Sequence, residues 1–352
     1  MISTKIKFIA SLILSVATLP ALAATPPQFS MTYLGKFAPT AMNNLGQVVG
    51  YGYATPDSQV QAVLYNSSGL NFLGSSSVRS LAYGINDDGQ IVGERNNQAF
   101  SYAGGTFTDI GPANSSATGI NNAGQIIGNA NNGSDFQGFV YSNGAVTTLT
   151  PANAAGSGVF GINNNGQIAG GVNEQYLRAP AIFSNGGVSY LTGGLPAGGT
   201  ITGNAVAIND NGQTLIRTHE YGTGKDSSYI YSNGWATELG GLTAGTYAND
   251  LNNAGIVVGT TSVNEAFLWQ DGTSYDLNSL VTGLNGWAIY NAVAINDHNQ
   301  IAVEACRGFD CGVLLLSTVS AVPEPSTYAM MAGGLGLLGF MARRRRAAAD
   351  KA

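Results

Sequence analysis

Groups able to hold a cation, move a proton or grip a sugar are sparse in this chain, and many sit in one recurring phrase. An aliphatic residue is followed by Asn, then Asn or Asp, a variable residue, usually Gly, and usually Gln. Its leading Asn falls at Asn43, Asn86, Asn121, Asn163, Asn209, Asn252 and Asn296. Copies such as Asn86-Asp87-Asp88-Gly89 and Asn209-Asp210-Asn211-Gly212 offer oxygen ligands for calcium. A calcium loop needs six to eight oxygens, commonly with a later bidentate carboxylate, and none follows at the spacing of an EF-hand. The phrase therefore reads as an Asx-capped turn. No cofactor is expected, with calcium as the alternative.

Proton chemistry finds little support. The only histidines are His219 and His298. His298 occupies the variable position of the seventh turn. His219, in Thr218-His219-Glu220-Tyr221, falls in a stretch read as lying between strands, and one His-Glu pair is a thin basis for acid–base work. Asp250 is the clearest anomaly, since Ala41, Gly84, Gly119, Gly161, Ala207 and Ala294 stand at its place in the other copies. Trp235, Trp269 and Trp287 are aromatic platforms on which a sugar could stack. Asp250, His219, Trp235 and Trp287 are thus the ligand-binding candidates. No catalytic or metal-binding residue is assigned, and a noncatalytic protein is expected. Cys306 and Cys311, the only cysteines, bracket a Gly-containing turn and read as a disulfide stapling a hairpin.

These residues must be positioned by the repeat itself. The steps between the seven Asn residues are 43, 35, 42, 46, 43 and 44, close to the length of a four-stranded propeller blade. Before each Asn a large aliphatic residue alternates with a small one, which marks an innermost strand at a crowded axis. Further on, aromatic and aliphatic runs such as Gly138-Phe139-Val140-Tyr141 lead into Gly turns and a short last strand. The seventh copy lacks that last strand, and Met31-Thr32-Tyr33-Leu34-Gly35 supplies a match at the other end of the chain. The expectation is an all-β, seven-bladed β-propeller over residues 29–318, its ring closed by an N-terminal strand that completes the last blade. An open solenoid is the alternative.

The ends read as processing segments. Lys5 and Lys7 precede an apolar run and Ala21-Leu22-Ala23, so residues 1–23 form a signal peptide cleaved after Ala23. Residues 319–325 form a linker containing Pro323-Glu324-Pro325. A transmembrane segment and basic cluster follow over 326–346, ending in Arg343, Arg344, Arg345 and Arg346, with a cytoplasmic tail at 347–352. Fifteen apolar residues at about 1.5 Å each reach roughly 22 Å, short for a hydrocarbon core of about 30 Å. Without these ends the chain keeps 7 basic and 18 acidic residues, a net charge of −11. That balance argues against nucleic acid as a partner.

Over about residues 39–316 the repeats resemble the HAF repeats of bacterial extracellular proteins, with the eponymous His replaced by Gln98 before Ala99-Phe100 and by Glu265 before Ala266-Phe267. Residues 322–346 resemble the PEP-CTERM sorting signal. That resemblance implies processing by an exosortase in a Gram-negative bacterium that makes exopolysaccharide, with transient anchoring in the inner membrane and delivery to the cell surface or matrix. The expected partners are the export machinery, the exosortase, the membrane during processing, and an extracellular glycan or protein ligand. The leading expectation is a noncatalytic binding or structural module. A carbohydrate-active enzyme and a calcium-dependent adhesin on the same scaffold are the alternatives.

Overall fold

The computed structural model describes residues 26–319, apart from 132, 134–135, 175–176, 197–200 and 242–244, together with Leu335. The expected signal peptide, the expected linker beyond Val319 and the expected membrane segment apart from Leu335 lie outside the described residues. Among those described, no helix is long and apolar enough to cross a membrane.

Seven four-stranded antiparallel sheets are arranged as blades, each built in chain order from an innermost to an outermost strand. The innermost strands are Ala38–Met42, Ser80–Ile85, Ser115–Ile120, Gly156–Ile162, Ile201–Ile208, Thr246–Leu251 and Ala288–Ile295. The last blade takes its outermost strand from the N-terminus: Phe29–Gly35 pairs antiparallel with Asp310–Thr318. Closure removes two open strand edges in one step. The core is distributed between blades. Val49 and Leu73 of blade 1, for example, pack with Ile85, Ile91 and Phe100 of blade 2.

The repeated Asn closes the ring a second time. Its buried Oδ1 accepts from amides two and four residues on, as when Asn121 takes Ala123 N at 3.1 Å and Gln125 N at 2.9 Å. That is the turn cap expected from the sequence. Its Nδ2 does something further, donating to the carbonyl of the corresponding Asn in the next blade. The seven bonds run without a break from Asn43 to Asn86 and finally from Asn296 back to Asn43, at 2.9–3.2 Å. A second ring lies over the first. The backbone N–H of Asn44, Asp87, Asn122, Asn164, Asp210, Asn253 and Asp297 each donates to the side-chain oxygen of the next member, at 2.8–3.0 Å.

Departures from the phrase compensate one another. The turn Gly has φ of 73–77° in six copies and Asn299 takes 58° in the seventh, the left-handed region both residues tolerate. A Cβ on Gly255 would come within 3.0 Å of Gln213 in the preceding blade, so the Gln occupies the space that the next Gly leaves. Blade 6 has Ile256 in place of its Gln, which frees room in blade 7 for Asn299. The Asn299 Oδ1 then accepts from Asn252 Nδ2 at 2.8 Å, the role that Gln125 Oε1 plays for Asn121.

The cysteines form the disulfide expected from their spacing, across the hairpin of the last blade. The closed loop is short, so the stabilisation it gives through chain entropy is about 2 kcal/mol. Replacing both with Ser should therefore lower unfolding free energy by about that amount in denaturant titrations. A loss above about 5 kcal/mol would mean that the staple holds more than its own hairpin.

Candidate functional site

Every innermost strand carries a bulge at the third residue before its Asn, where the pairing register slips by one. A bulge re-aims a side chain. The re-aimed residues, Thr40, Tyr83, Thr118, Phe160, Val206, Asn249 and Val293, line a cavity of about 280 Å³ in the central channel. No two neighbouring blades repeat the same residue there. The other end of the channel is constant, a cavity of about 200 Å³ walled by the two Asx rings.

The constant mouth is chemically committed. Asp87, Asp210 and Asp297 are never adjacent in the ring and each accepts from a neighbouring Asn amide. Burial works to raise the Asp210 carboxyl, and the bonds from Asn164 and Asn253 outweigh it, leaving the group below its ordinary value. Among the described residues no group of three or more His, Cys, Asp or Glu is placed to hold a metal ion.

Asp250 sits between the two cavities and lines both. The crowding that selects small residues at this position is direct, because a Cβ on Gly84 would lie 3.2 Å from Gly119 Cα of the next blade. Asp250 fits by turning its carboxylate along the wall. Oδ1 accepts from Leu251 N and Oδ2 from Ile295 N of the next blade, both at 2.9 Å. Burial pushes its pKa up to about 7; the two amides oppose the rise and Asp297 adds to it.

The remaining sequence candidates scatter. His219 lies on a strand, Thr214–Glu220 of blade 5, rather than between strands. Its Nδ1 is 2.8 Å from Asp226 Oδ1, and the other Asp226 oxygen accepts from Tyr247 OH of blade 6. That bond, followed by burial, raises the Tyr247 hydroxyl. Trp287 is not a free platform: it is only 8% exposed, stacks on Tyr33 at 5.4 Å and lies under Arg307 at 5.1 Å. Trp269 is buried as well. Trp235 is 64% exposed, but on the outermost strand Trp235–Glu238, away from the channel. His298 stays at the tip of its turn, on the Asx face. The sequence reasoning missed the ring of bulged residues, whose only signal was variability one position before a conserved small residue.

Charge divides the propeller by face. All seven Lys and Arg side chains of the described chain lie away from the Asx turns. Lys36 and Arg79 precede innermost strands, Arg95 and Arg307 end second strands, Arg178 and Lys225 start third strands, and Arg217 is eight residues past Asn209. The face opposite the Asx rings also carries Tyr83, pushed up by burial and then by Glu94, and Tyr290, pushed up by burial and then by Glu304. Thr318 pairs with Phe29 and Leu316 with Ile301, so the chain leaves its last strand on the Asx face.

Comparison with known proteins separates address from fold. Residues 321–346 match the PEP-CTERM protein-sorting motif, which implies export and processing by an exosortase. No curated protein matches the chain. Among solved structures, YCF48 bound to D1 peptide matches with a TM-score of 0.53 at 12% identity, over 86% of this chain and 100% of that one. The β-propeller domain of the Trilobed protease from Pyrococcus furiosus, described as having an open velcro topology, matches with a TM-score of 0.54 at 12% identity, over 85% and 100%. At such identities the similarity is one of fold, and the chain is an exported β-propeller that carries a PEP-CTERM sorting signal.

Proposed function

We propose that the protein is a noncatalytic extracellular binding module, exported by a Gram-negative bacterium, transiently anchored in the inner membrane and delivered to the surface or matrix. It engages a glycan of the exopolysaccharide class through the face opposite the Asx rings. The observation that carries this reading is the split between faces. One end of the channel repeats Asn followed by Asn or Asp seven times, and the other presents Thr40, Tyr83, Thr118, Phe160, Val206, Asn249 and Val293. Scaffold requirements are identical in each blade, so differences between blades are where selectivity has room to reside.

Topology supports the same face. The sorting motif begins at residue 321, just beyond a strand that ends on the Asx side. A tether on that side leaves the variable face pointing outward. Hydroxyl, amide and aromatic groups around a channel suit sugar hydroxyls and ring faces.

The test is binding of labelled exopolysaccharide fractions to the full-length chain. Tyr83→Ala and Phe160→Ala should weaken binding at least tenfold, whereas Leu45→Ser and His298→Ala on the Asx face should leave it unchanged. The opposite pattern would place the site at the Asx mouth and sink the proposal.

A further inference from the structure

Of the seven basic side chains in the propeller, five are ion-paired. Lys36 meets Asp310 at 2.7 Å, Arg79 meets Glu94, Arg95 meets Asp109 at 3.1 Å, Lys225 meets Glu238 at 2.8 Å and Arg307 meets Asp310 at 3.7 Å. The other two, Arg178 and Arg217, have no carboxylate partner among the described residues. They occupy consecutive blades. Arg178 Nη1 lies 3.4 Å from Asn204 Oδ1, and Asn204 is the cross-strand partner of Arg217.

Arg217 is the less compensated of the two. Arg178 at least donates Nε to Asn173 Oδ1 at 2.7 Å. The Arg217 Nε is sealed from water with no acceptor, while the residue as a whole keeps some solvent access. Burial lowers its pKa, with no neighbouring charge offsetting the shift. A desolvated guanidinium with no partner is costly, and buried orphan donors are rare enough to call for a cause.

The surroundings show why no partner comes from the protein. Strand alternation puts Leu215, Arg217 and His219 on the side of blade 5 that faces blade 6, where Leu215 packs with Ala248 and Leu251. Asp226 is the carboxylate next along that face. Both its oxygens are taken, one by His219 Nδ1 and the other by Tyr247 OH. Around Arg217 stand the register partners Asn204 and Ser228, with His219 beyond. Ser228 is itself bonded to the backbone of Thr246 and Ala248.

We infer that Arg217 is the subsite for a carboxylate borne by the ligand, and that the ligand is an acidic glycan containing uronic acid. A guanidinium binds a carboxylate through two parallel N–H bonds, a fork that Lys cannot reproduce. His219, two residues along the same face with its side chain 40% exposed, is placed to meet a sugar hydroxyl. This assignment rests on the glycan-binding reading and names the substrate class for it.

The experiment compares an oligogalacturonate, its methyl ester and hexaglutamate as probes, by titration calorimetry against the full-length chain. The acid should bind at least tenfold tighter than the ester, and Arg217→Gln should erase that difference. Arg217→Lys should recover only part of it. If acid and ester bind alike and Arg217→Gln changes nothing, while Tyr83→Ala still weakens both, the glycan reading stands and the Arg217 assignment falls. Binding of hexaglutamate alone, lost in Arg217→Gln, would overturn the glycan class. No binding by any probe would overturn both readings. Arg217→Met separates a binding role from a structural one. Without ligand it should melt no lower than the wild type, and oligogalacturonate should no longer raise its melting temperature. A fall of more than about 5 °C on that substitution would make Arg217 a structural residue.

Discussion

Asn121→Asp should lower the melting temperature by roughly 10 °C at pH 8, although it exchanges one NH2 group for an oxygen. The wild-type Asn121 is 3% exposed and makes four hydrogen bonds. Two are accepted by Oδ1 from Ala123 N and Gln125 N, and two are donated by Nδ2, to Gln125 Oε1 at 2.9 Å and to Asn163 O at 3.0 Å. A carboxylate keeps the accepted bonds and converts the donated ones into oxygen–oxygen contacts in a buried site. Losing a bond while leaving its partner unsatisfied costs about 1–3 kcal/mol, so the pair amounts to about 3–4 kcal/mol. In a domain of this size each kcal/mol moves the midpoint by about 2–4 °C. The ring makes the loss larger than a turn cap alone would suggest, since an ordinary cap is worth about 1 kcal/mol. Acid offers an internal control. Below the pKa of the new carboxyl its O–H can donate to Asn163 O, so the deficit should shrink between pH 8 and pH 4. A deficit independent of pH, or one below about 2 °C, would mean that the inter-blade bond contributes little.

The architecture was legible because each blade solves the same packing problem with the same residues. Seven Asn residues about 43 positions apart, small residues two places before them and a missing last strand matched by Met31–Gly35 lead to a closed seven-bladed ring, which the sheet pairings show. The inter-blade role of Asn was not legible. An Asn that caps its own turn and an Asn that also bonds to the next blade leave the same mark in one chain. The exchange of Ile256 for Gln with Asn299 for Gly was visible as two unrelated lapses, and only their contact joins them. The candidate site was less accessible still. A bulge has no residue signature when its third position ranges from Thr to Phe, and Trp287 could be told from a sugar platform only by the packing of Tyr33 and Arg307 around it. Arg217 carries no mark in the sequence, because a guanidinium nitrogen buried without an acceptor is visible only in three dimensions.

Asp250 makes the second large prediction, a stability that falls as pH rises through the neutral range. The carboxyl is held at about 7 in the folded chain against 3.8 in the unfolded one, chiefly by burial. Between those values the folded state binds the extra proton, so the unfolded state gains relative stability as the pH climbs. The contribution is fully present below about pH 4, decays between about 4 and 7, and is gone above. The full displacement corresponds to about 4 kcal/mol at about 1.4 kcal/mol per unit. Asp250 keeps partial exposure where it lines both cavities, so that figure is a ceiling and about 2 kcal/mol is the expected drop. Asp250→Ala restores the residue type used in the other blades and leaves Leu251 N and Ile295 N to channel water. This variant should lose that contribution to the pH dependence across the window and be more stable than the wild type at pH 8 by about 1–2 kcal/mol. Near pH 4.5 the order should close or reverse, because the neutral carboxyl keeps its bond to Ile295 at little desolvation cost. Denaturant unfolding at pH 4.5, 6 and 8 reads the difference directly. Parallel curves for the two proteins would show that Asp250 is ionised throughout, and that its two backbone amides outweigh the burial around it.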